Sequence, residues 1–396
     1  MPQYLTPQYR LALLLARGNF SAEVARRAAE RIHAGVKWDG FLESARTHGL
    51  IPLLYHRLKA LEFCDVPPHV RRQLTDTFGA NAIRNLLLSQ ELVRVLIQLD
   101  TAGVCVIPLK GISLAESLYG DNALRVVADL DILIRPERLE TTLHVLQSSG
   151  YETRLDRSRF IELLARYGKD CELMREDARM AYPLQVHCGL IWGGPPESAA
   201  LAELWSGAVP RAFHGAPAFA LAPEWEFLYL AVHAARHRFY PLKWLVDLDW
   251  LVARGDVDWV KVENMARRLG WGETVQSCFA ACEALIQTPV PEPFAKPHDR
   301  CARFHVSRPG PLTVPSEALF CLRLLPKLSQ RLQYLAIRLF VPTSADREFV
   351  ALPSSLFFLY GVLRPLRLAG WVVAGSMKAG FTKLRRVLKH RWVGRL

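Results

Sequence analysis

The sequence predicts an α+β fold in which a small mixed sheet is flanked by N-terminal and C-terminal helical regions. Apolar residues recur at helical spacing throughout residues 1–101 and again from residue 223 onward. Between these regions, short runs rich in β-branched residues alternate with single helix patterns. A small sheet covered by helices is the fold class that this order of elements favours.

These patterns divide the chain into four segments. Its 396 residues allow two or three domains, and 51% of them are hydrophobic, which is enough for a large core. A proline-rich stretch, TPVPEPFAKP, separates the last helices from those before it. The expected segments are an N-terminal helical region over 1–101, a sheet core over 102–192, a C-terminal helical domain over 193–290, and a linker with a basic helical tail over 291–396.

Helices are predicted for the first region because its apolar positions repeat every three to four residues. The run SAEVARRAAERI begins at Ser21, a residue type that commonly caps helix N-termini. Pro67 and Pro68 interrupt the pattern, and a long helix is expected from about residue 75 to residue 101.

The central region is expected to alternate strands and helices. A strand over VCVIPLKG ends at Gly111, a helix covers about 111–119, and a second strand covers VADLDILI. A helix follows in PERLETTLHVLQSSG, with Pro136 in its first turn and Gly150 after its end. The runs CELMR and YPLQVHCGL then predict two strands that the polar EDARM joins as a hairpin.

Helical patterns return at Pro223 and continue beyond the proline-rich stretch. Four separable helices are predicted from PEWEFLYLAVHAARH, LKWLVDLDWLVARG, WVKVENMARRLGW and TVQSCFAACEALI. Further helices are expected over 315–342 and 355–396, and the last of them are basic.

The positive charge is concentrated at the C-terminal end. The formal net charge is +12, yet the last acidic residue is Glu348, and the final 33 residues carry nine Lys or Arg. Such a segment can contact anionic lipid, nucleic acid or an acidic partner. The sequence contains no strong nucleic-acid signal, and this tail predicts either a helix that contacts an anionic membrane or a solvated basic helix.

The composition predicts a cytoplasmic protein. The first residues lack a signal-peptide pattern, and charges interrupt every long apolar run, so no transmembrane helix is expected. Eight cysteines occur without a CxxC pair, which indicates reduced thiols. With the basic tail, this predicts a cytoplasmic location that includes the periphery of the inner membrane.

Two aspartates in the second strand are the first candidates for chemistry. Residues at i and i+2 of a strand project from the same face, so Asp129 and Asp131 point together. Two buried carboxylates repel each other and lose solvation, and a divalent cation removes both penalties. Since Mg²⁺ takes carboxylate and phosphate oxygens together, the pair predicts a metal site for a nucleoside triphosphate.

The turn before the second strand supplies candidate phosphate contacts. Gly111 lets the backbone approach a ligand, and free N–H groups at a helix start favour phosphate. Ser113 adds a hydroxyl group, while Lys110 and Arg125 add cationic groups.

Two patterns in the later helices have more than one interpretation. His233 and His237 share a helix face, which predicts a packing surface, a cationic wall for a nucleotide together with Arg236 and Lys243, or a structural metal site. A second pair of aspartates, at 247 and 249, lies in a helix pattern, where residues two apart diverge. We expect those acids to face solvent or a neighbouring cation.

The order strand, G-x-S, helix and D-x-D strand resembles the DNA polymerase β-like nucleotidyltransferase superfamily. More closely, the chain resembles a family of largely uncharacterised bacterial nucleotidyltransferases. The residues that match its central motif are Lys110, Gly111, Ser113, Leu114, Tyr119, Arg125, Asp129 and Asp131. Segments 45–58 and 232–252 are also similar to that family, so the resemblance covers roughly residues 40–290.

This resemblance implies a nucleotidyltransferase core and a chemistry. In the superfamily, the two aspartates and a third carboxylate hold Mg²⁺, for which Mn²⁺ is an alternative, and pyrophosphate leaves after in-line attack. The implied substrate is an NTP. The acceptor is not defined by the sequence, and a peptide, a sugar, a metabolite, a protein side chain and an RNA end all remain candidates.

The third carboxylate is where this sequence departs from the family. The relatives tend to carry an acid, an apolar residue and a histidine in the later strand, but here the residues are Gln185, Val186 and His187. Glu172 on the neighbouring strand is a candidate substitute for that carboxylate. His187 is a candidate ligand, a general base, or a strand histidine with satisfied hydrogen bonds.

Three functions follow from these features. The first is an Mg²⁺-dependent nucleotidyltransferase with weakened activity. The second is a nucleotide-binding or regulatory protein with a degenerate site, as Gln185 suggests. The third is a peripheral membrane or polyanion-binding protein in which the basic tail dominates.

Overall fold

The computed structural model describes residues 6–153, 171–190, 199–295, 318–319, 322–323, 325, 327–350 and 352–370. The predicted α+β class and small mixed sheet are confirmed. The helices are α1 (Pro7–Leu15), α2 (Ala22–His33), α3 (Trp38–Thr47), α4 (Ile51–Ala60), α5 (Pro68–Thr101), α6 (Ile112–Tyr119), α7 (Leu139–Ser148), α8 (Ala199–Ser206), α9 (Pro223–Arg236), α10 (Lys243–Arg254), α11 (Trp259–Leu269), α12 (Gly272–Ile286), α13 (Leu328–Phe340) and α14 (Ser344–Phe349). The strands are β1 (Ile107–Pro108), β2 (Leu130–Leu133), β3 (Glu152–Thr153), β4 (Cys171–Glu176), β5 (Ala181–His187), β6 (Val209–Pro210) and β7 (Phe219–Ala220).

Five strands form the main sheet in the order β1-β2-β5-β4-β3. β2 and β5 are parallel, and the other neighbours are antiparallel, which includes the predicted β4–β5 hairpin. β6 and β7 form a separate antiparallel pair. The parallel pair is central to function because both strands carry candidate site residues.

Several element boundaries differ from those predicted. α5 begins at Pro68 and not near residue 75, because a proline in the first helical turn loses no hydrogen bond. β1 has only two paired residues, and β2 begins at Leu130, which leaves Asp129 just before the strand. The Ser21 cap of α2 is confirmed by a 3.3 Å hydrogen bond from the Val24 N–H to its hydroxyl.

One face of the main sheet is apolar. Leu130, Ile132, Leu184 and Val186 pack there with α7 and with the second half of α5. Because strand residues alternate between faces, the polar residues of β2 and β5 are directed to the opposite face. The sheet therefore has a hydrophobic side and a side available for chemistry.

A second hydrophobic cluster joins the beginning of the chain to its later helices. Buried residues of α1–α4 pack in the same cluster as buried residues of α9–α12. A polar contact also crosses between these regions, since Asp249 accepts a hydrogen bond from the Gly18 N–H at 2.7 Å. The Thr288 hydroxyl donates to the same carboxylate at 2.6 Å. The two helical regions are thus one packed unit around the sheet.

His48 contributes to this unit at the start of α10. Its Nδ1 accepts a hydrogen bond from the Leu242 N–H at 3.3 Å, and its Nε2 lies 2.5 Å from the Tyr9 hydroxyl oxygen. A backbone N–H can only donate, so Nδ1 is the acceptor and Nε2 carries the ring proton. Burial lowers the pKa of His48 to about 4, which keeps the ring neutral near pH 7.

Some predicted elements lie partly or wholly outside the described residues. The helix expected over 315–342 corresponds mainly to α13 in the described residues. Within the region expected to be helical over 355–396, the structure describes a helix over 360–370. The tail beyond residue 370 lies outside the described part. None of the helices within the described ranges is long and apolar enough to cross a membrane.

Candidate active site

The turn at Gly111 brings two parts of the site together. Gly111 has φ 68° and ψ −126°, and a Cβ atom there would lie 3.1 Å from the carbonyl oxygen of Asp129. A side chain would therefore be both strained and crowded. The Leu109 N–H also donates to the Asp131 carbonyl oxygen at 3.0 Å. The glycine predicted to approach a ligand also packs directly against the aspartate strand.

Four predicted catalytic residues lie together on the polar sheet face. In the parallel register Asp131 is beside Gln185, and Leu133 is beside His187. The Gln185 amide nitrogen donates to Asp129 Oδ2 at 3.1 Å, and His187 Nε2 lies 2.9 Å from Asp131 Oδ1. Each aspartate is thus bonded to one side chain of β5, as expected for residues that share a face.

The two aspartates differ in their electrostatic surroundings. Burial alone would raise the pKa of Asp131, but the ammonium of Lys110, 2.9 Å from Oδ2, and His187 lower it to about 2. The pKa of Asp129 is raised because burial and the neighbouring Asp131 carboxylate disfavour its charged form. Asp131 is therefore a buried anion that is already paired with a cation. Asp129 is the carboxylate whose charged form a bound cation would stabilise most.

Four side chains from two helices hold the backbone that leads into β2. They are Asn81, Arg84 and Asn85 of α5 and Lys243 of α10. Their nitrogen atoms donate to main-chain carbonyl oxygens within residues 122–128, over distances of 2.5 to 3.3 Å. The segment just before Asp129 is fixed by these bonds.

Arg125 is held by a buried carboxylate. Its Nε and one terminal nitrogen donate to Asp247 at 3.0 and 2.8 Å, and the Tyr119 hydroxyl donates to the same carboxylate at 2.7 Å. Burial would lower the pKa of Arg125, but the Asp247 carboxylate outweighs it and raises this pKa. Of the second aspartate pair, Asp247 meets the expected cation, whereas Asp249 is buried and bonded to neutral groups.

A cavity of about 390 Å³ opens beside the paired aspartates. Ten of the twelve predicted site residues line it: Lys110, Gly111, Arg125, Asp129, Gln185, His187, His233, Arg236, His237 and Lys243. Glu172 also lines it, and its position on β4 is paired with Gln185. Ser113 lies in the first turn of α6 and does not line the cavity. Asp131 is buried behind its salt bridge.

Another wall of the cavity comes from α9, α10 and the residues between them. The rings of His233 and His237 have centroids 4.8 Å apart, and both pack within 4.8 Å of Trp244. Burial and nearby cations, Lys110 among them, lower the pKa of His233 well below its usual value. Burial, together with Arg125, lowers the pKa of Lys243 to about 8. This wall is aromatic and cationic.

The donor set fits Mg²⁺ in company with a phosphate-bearing substrate. Among the described residues, no three or more His, Cys, Asp or Glu side chains form a group that could hold a metal alone. Two carboxylates completed by phosphate oxygens and water are, however, a common Mg²⁺ arrangement. The salt bridge between Lys110 and Asp131 shows that a cation is stable beside this carboxylate. Within the described residues, His233 and His237 belong to no group of three such side chains, and their contacts with Trp244 favour the packing and cationic-wall interpretations.

The fold and this site define the chain as a nucleotidyltransferase-like protein. A family model described as an uncharacterised nucleotidyltransferase matches residues 34–287, and the chain belongs to that family.

The other comparisons add little. A crystal structure of an antigenic nucleotidyltransferase-like protein from Paracoccidioides brasiliensis is similar at 13% identity, over 51% of this chain and 93% of that one, with a TM-score of 0.33. At that TM-score the similarity supports no further conclusion. No curated protein matches the chain significantly.

Proposed function

We propose that the chain transfers a nucleotidyl group from an NTP to an acceptor in an Mg²⁺-dependent reaction that releases pyrophosphate. The observation that carries this proposal is the pair Asp129 and Asp131, on one sheet face, at the edge of a cationic cavity. Membership of a nucleotidyltransferase family supports the same reaction class.

Asp129 and Asp131 are the residues that would hold the metal. Bound Mg²⁺ would neutralise the triphosphate and the acceptor oxygen as bonds to phosphorus change. The buried charge of Asp131 favours a cation, and Lys110 must then release that carboxylate and turn toward the phosphates. This exchange would replace the single positive charge of Lys110 beside Asp131 with the two charges of Mg²⁺, which the Asp129 carboxylate would help to balance.

The cationic residues of the cavity would bind the triphosphate. Lys110, Arg236 and Lys243 line the same cavity as Asp129, so phosphate oxygens in it would be close to these cations and to the metal site. Arg125 is already bonded to Asp247, so we assign it the task of fixing the segment before Asp129. Catalysis would then depend on positioning and charge neutralisation more than on acid–base side chains.

A second candidate function, nucleotide binding without fast turnover, is favoured by Gln185. Gln185 occupies the position at which the relatives have a third carboxylate, and its amide donates a hydrogen bond to Asp129. A neutral amide, unlike that carboxylate, supplies no negative charge to help hold metal. Glu172 is the nearest acid by strand register, and its side chain is exposed.

Calorimetry of Mg²⁺–NTP binding and a pyrophosphate-release assay with a panel of NTPs test both functions. The Asp129→Asn variant is the cleanest probe, because it removes a carboxylate whose charge is already disfavoured. We expect it to lose metal-dependent NTP binding while it keeps its folded structure. The matched control, Asp256→Asn, alters an exposed acid outside the cavity and should bind normally. Equal NTP affinity in both variants contradicts the site, and binding without pyrophosphate release supports the second function.

A further inference from the structure

Helix α13 carries apolar side chains on two opposite faces. Tyr334 and Ile337 are buried against the protein. Leu328, Leu332, Leu335 and Leu339 recur at helical spacing on the other side, where Leu328 is 70% and Leu332 is 59% exposed. We call these four leucines the leucine stripe. A surface helix normally has a single apolar face, so the second one requires an explanation.

Exposed apolar residues are concentrated in this part of the chain. Of sixteen large hydrophobic residues that are exposed in the described part, eleven lie between residues 319 and 366. Beyond α13 they include Phe358, Val362 and Leu366. Scattered single residues of this kind are ordinary, but such a concentration indicates a contact surface.

The leucine stripe belongs to a folded unit. Arg364, in the helix over 360–370, donates to the carbonyl oxygen of Arg338 at 2.9 Å and to the Thr343 hydroxyl at 2.9 Å. Arg364 and Arg367 both pair with Asp346, which is buried. These bonds join α13, α14 and the 360–370 helix, so the exposed leucines are displayed by a supported helix.

The charge around the stripe is positive. Residues 318–345 contain Arg323, Lys327, Arg331 and Arg338 and no acidic residue. Asp346 is paired with two arginines, so its negative charge is already balanced. A partner for this surface must therefore combine an apolar region with negative charge.

We propose that the leucine stripe inserts into an anionic lipid surface, with the neighbouring cations against the lipid headgroups. An interfacial helix of this kind buries leucines at the boundary between headgroups and acyl chains while Lys and Arg attract anionic lipid. A nucleic acid would satisfy the cations but leave the leucines in water. A second copy would bury the leucines but oppose cations to cations. The inference is independent of the proposed chemistry, because it rests on residues outside the cavity.

Co-sedimentation of the full-length protein with vesicles tests this inference. Vesicles of phosphatidylcholine are compared with vesicles of equal parts phosphatidylcholine and phosphatidylglycerol. We expect binding to the anionic vesicles alone, and weaker binding at high salt because ions screen the attraction. The double variant Leu332→Gln/Leu335→Gln should reduce the partition coefficient by roughly tenfold or more, since two leucines no longer leave water. The control, Ile83→Gln/Leu86→Gln, alters exposed apolar residues on α5 and should bind like the unmodified protein.

Three outcomes would overturn the inference. Equal partition of the stripe variant and the unmodified protein would show that the leucines do not meet lipid. A change of oligomeric state in the stripe variant, seen by light scattering without any vesicle binding, would identify a second copy as the partner. A lower melting temperature with unchanged vesicle binding would mean that another part of the same chain covers the stripe.

Discussion

Loss of the Asp247 carboxylate should destabilise the protein more than loss of any exposed charge. Asp247 is fully buried and pairs with Arg125, whose side chain is also buried. In Asp247→Asn the guanidinium keeps its charge, because arginine does not release its proton in proteins. The amide can still accept a hydrogen bond but cannot balance that charge.

The expected cost follows from the burial of the pair. Removing one partner of a buried ion pair typically costs about 3–5 kcal/mol of unfolding free energy. The weaker acceptor for the Tyr119 hydroxyl adds a contribution on the order of 1 kcal/mol. A total of about 4–6 kcal/mol is a large share of the 5–15 kcal/mol that usually holds a domain folded.

The assay is equilibrium unfolding in urea, read by circular dichroism, beside calorimetry of Mg²⁺–NTP binding. The double variant Arg125→Met/Asp247→Leu removes both charges and should recover most of the lost stability. The control Arg26→Met breaks an exposed salt bridge to Glu23 and should leave the unfolding midpoint unchanged. A loss below about 1 kcal/mol in Asp247→Asn, or no recovery in the double variant, would refute the assigned role of this pair.

Three further changes have distinct expected results. Gln185→Glu should raise the rate of pyrophosphate release about tenfold, because about 1.4 kcal/mol of transition-state stabilisation is enough for that change. An unchanged rate would mean that the third carboxylate lies elsewhere. Gly111→Ala should cost about 1–3 kcal/mol of unfolding free energy through backbone strain, and it should also abolish NTP binding. The control Gly35→Ala also has a positive φ but open space around it, so it should leave NTP binding unchanged. The pKa of His48 is about 4 when folded and about 6.5 when unfolded, so the unfolded chain binds more protons between these values. Stability should therefore fall by about 3 kcal/mol as pH drops from 6.5 to 4, and His48→Gln should remove that dependence in urea titrations at several pH values.

The residues that sequence reasoning found are those whose signal is local. Asp129, Asp131 and Gly111 lie within one strand–turn–strand segment, and alternation along a strand is enough to place two aspartates on one face. Gln185 and His187 were found through the family resemblance, which expects an acid, an apolar residue and a histidine in the later strand. The parallel register that joins the two strands is what brings these residues into contact.

The supporting residues were not predicted because their partners are distant in sequence. Asn81 and Asn85 are buried polar residues one helical turn apart. That spacing of two amides within an apolar helix pattern could have predicted that their side chains donate to backbone carbonyl oxygens. Asp247 was expected to face solvent or a cation, and its partner Arg125 lies 122 residues earlier. A pattern within one helix cannot identify such a partner.

The hydrophobic cluster that α1–α4 share with α9–α12 has a consequence for biosynthesis. The early helices leave the ribosome well before residues 223–286 exist, and at roughly 5–20 residues per second this interval is on the order of ten seconds. Throughout it, the five consecutive buried residues Leu11–Leu15 lack the packing partners that α9–α12 supply to this cluster. The nascent chain should therefore recruit holdase chaperones to its first helices until the later ones emerge.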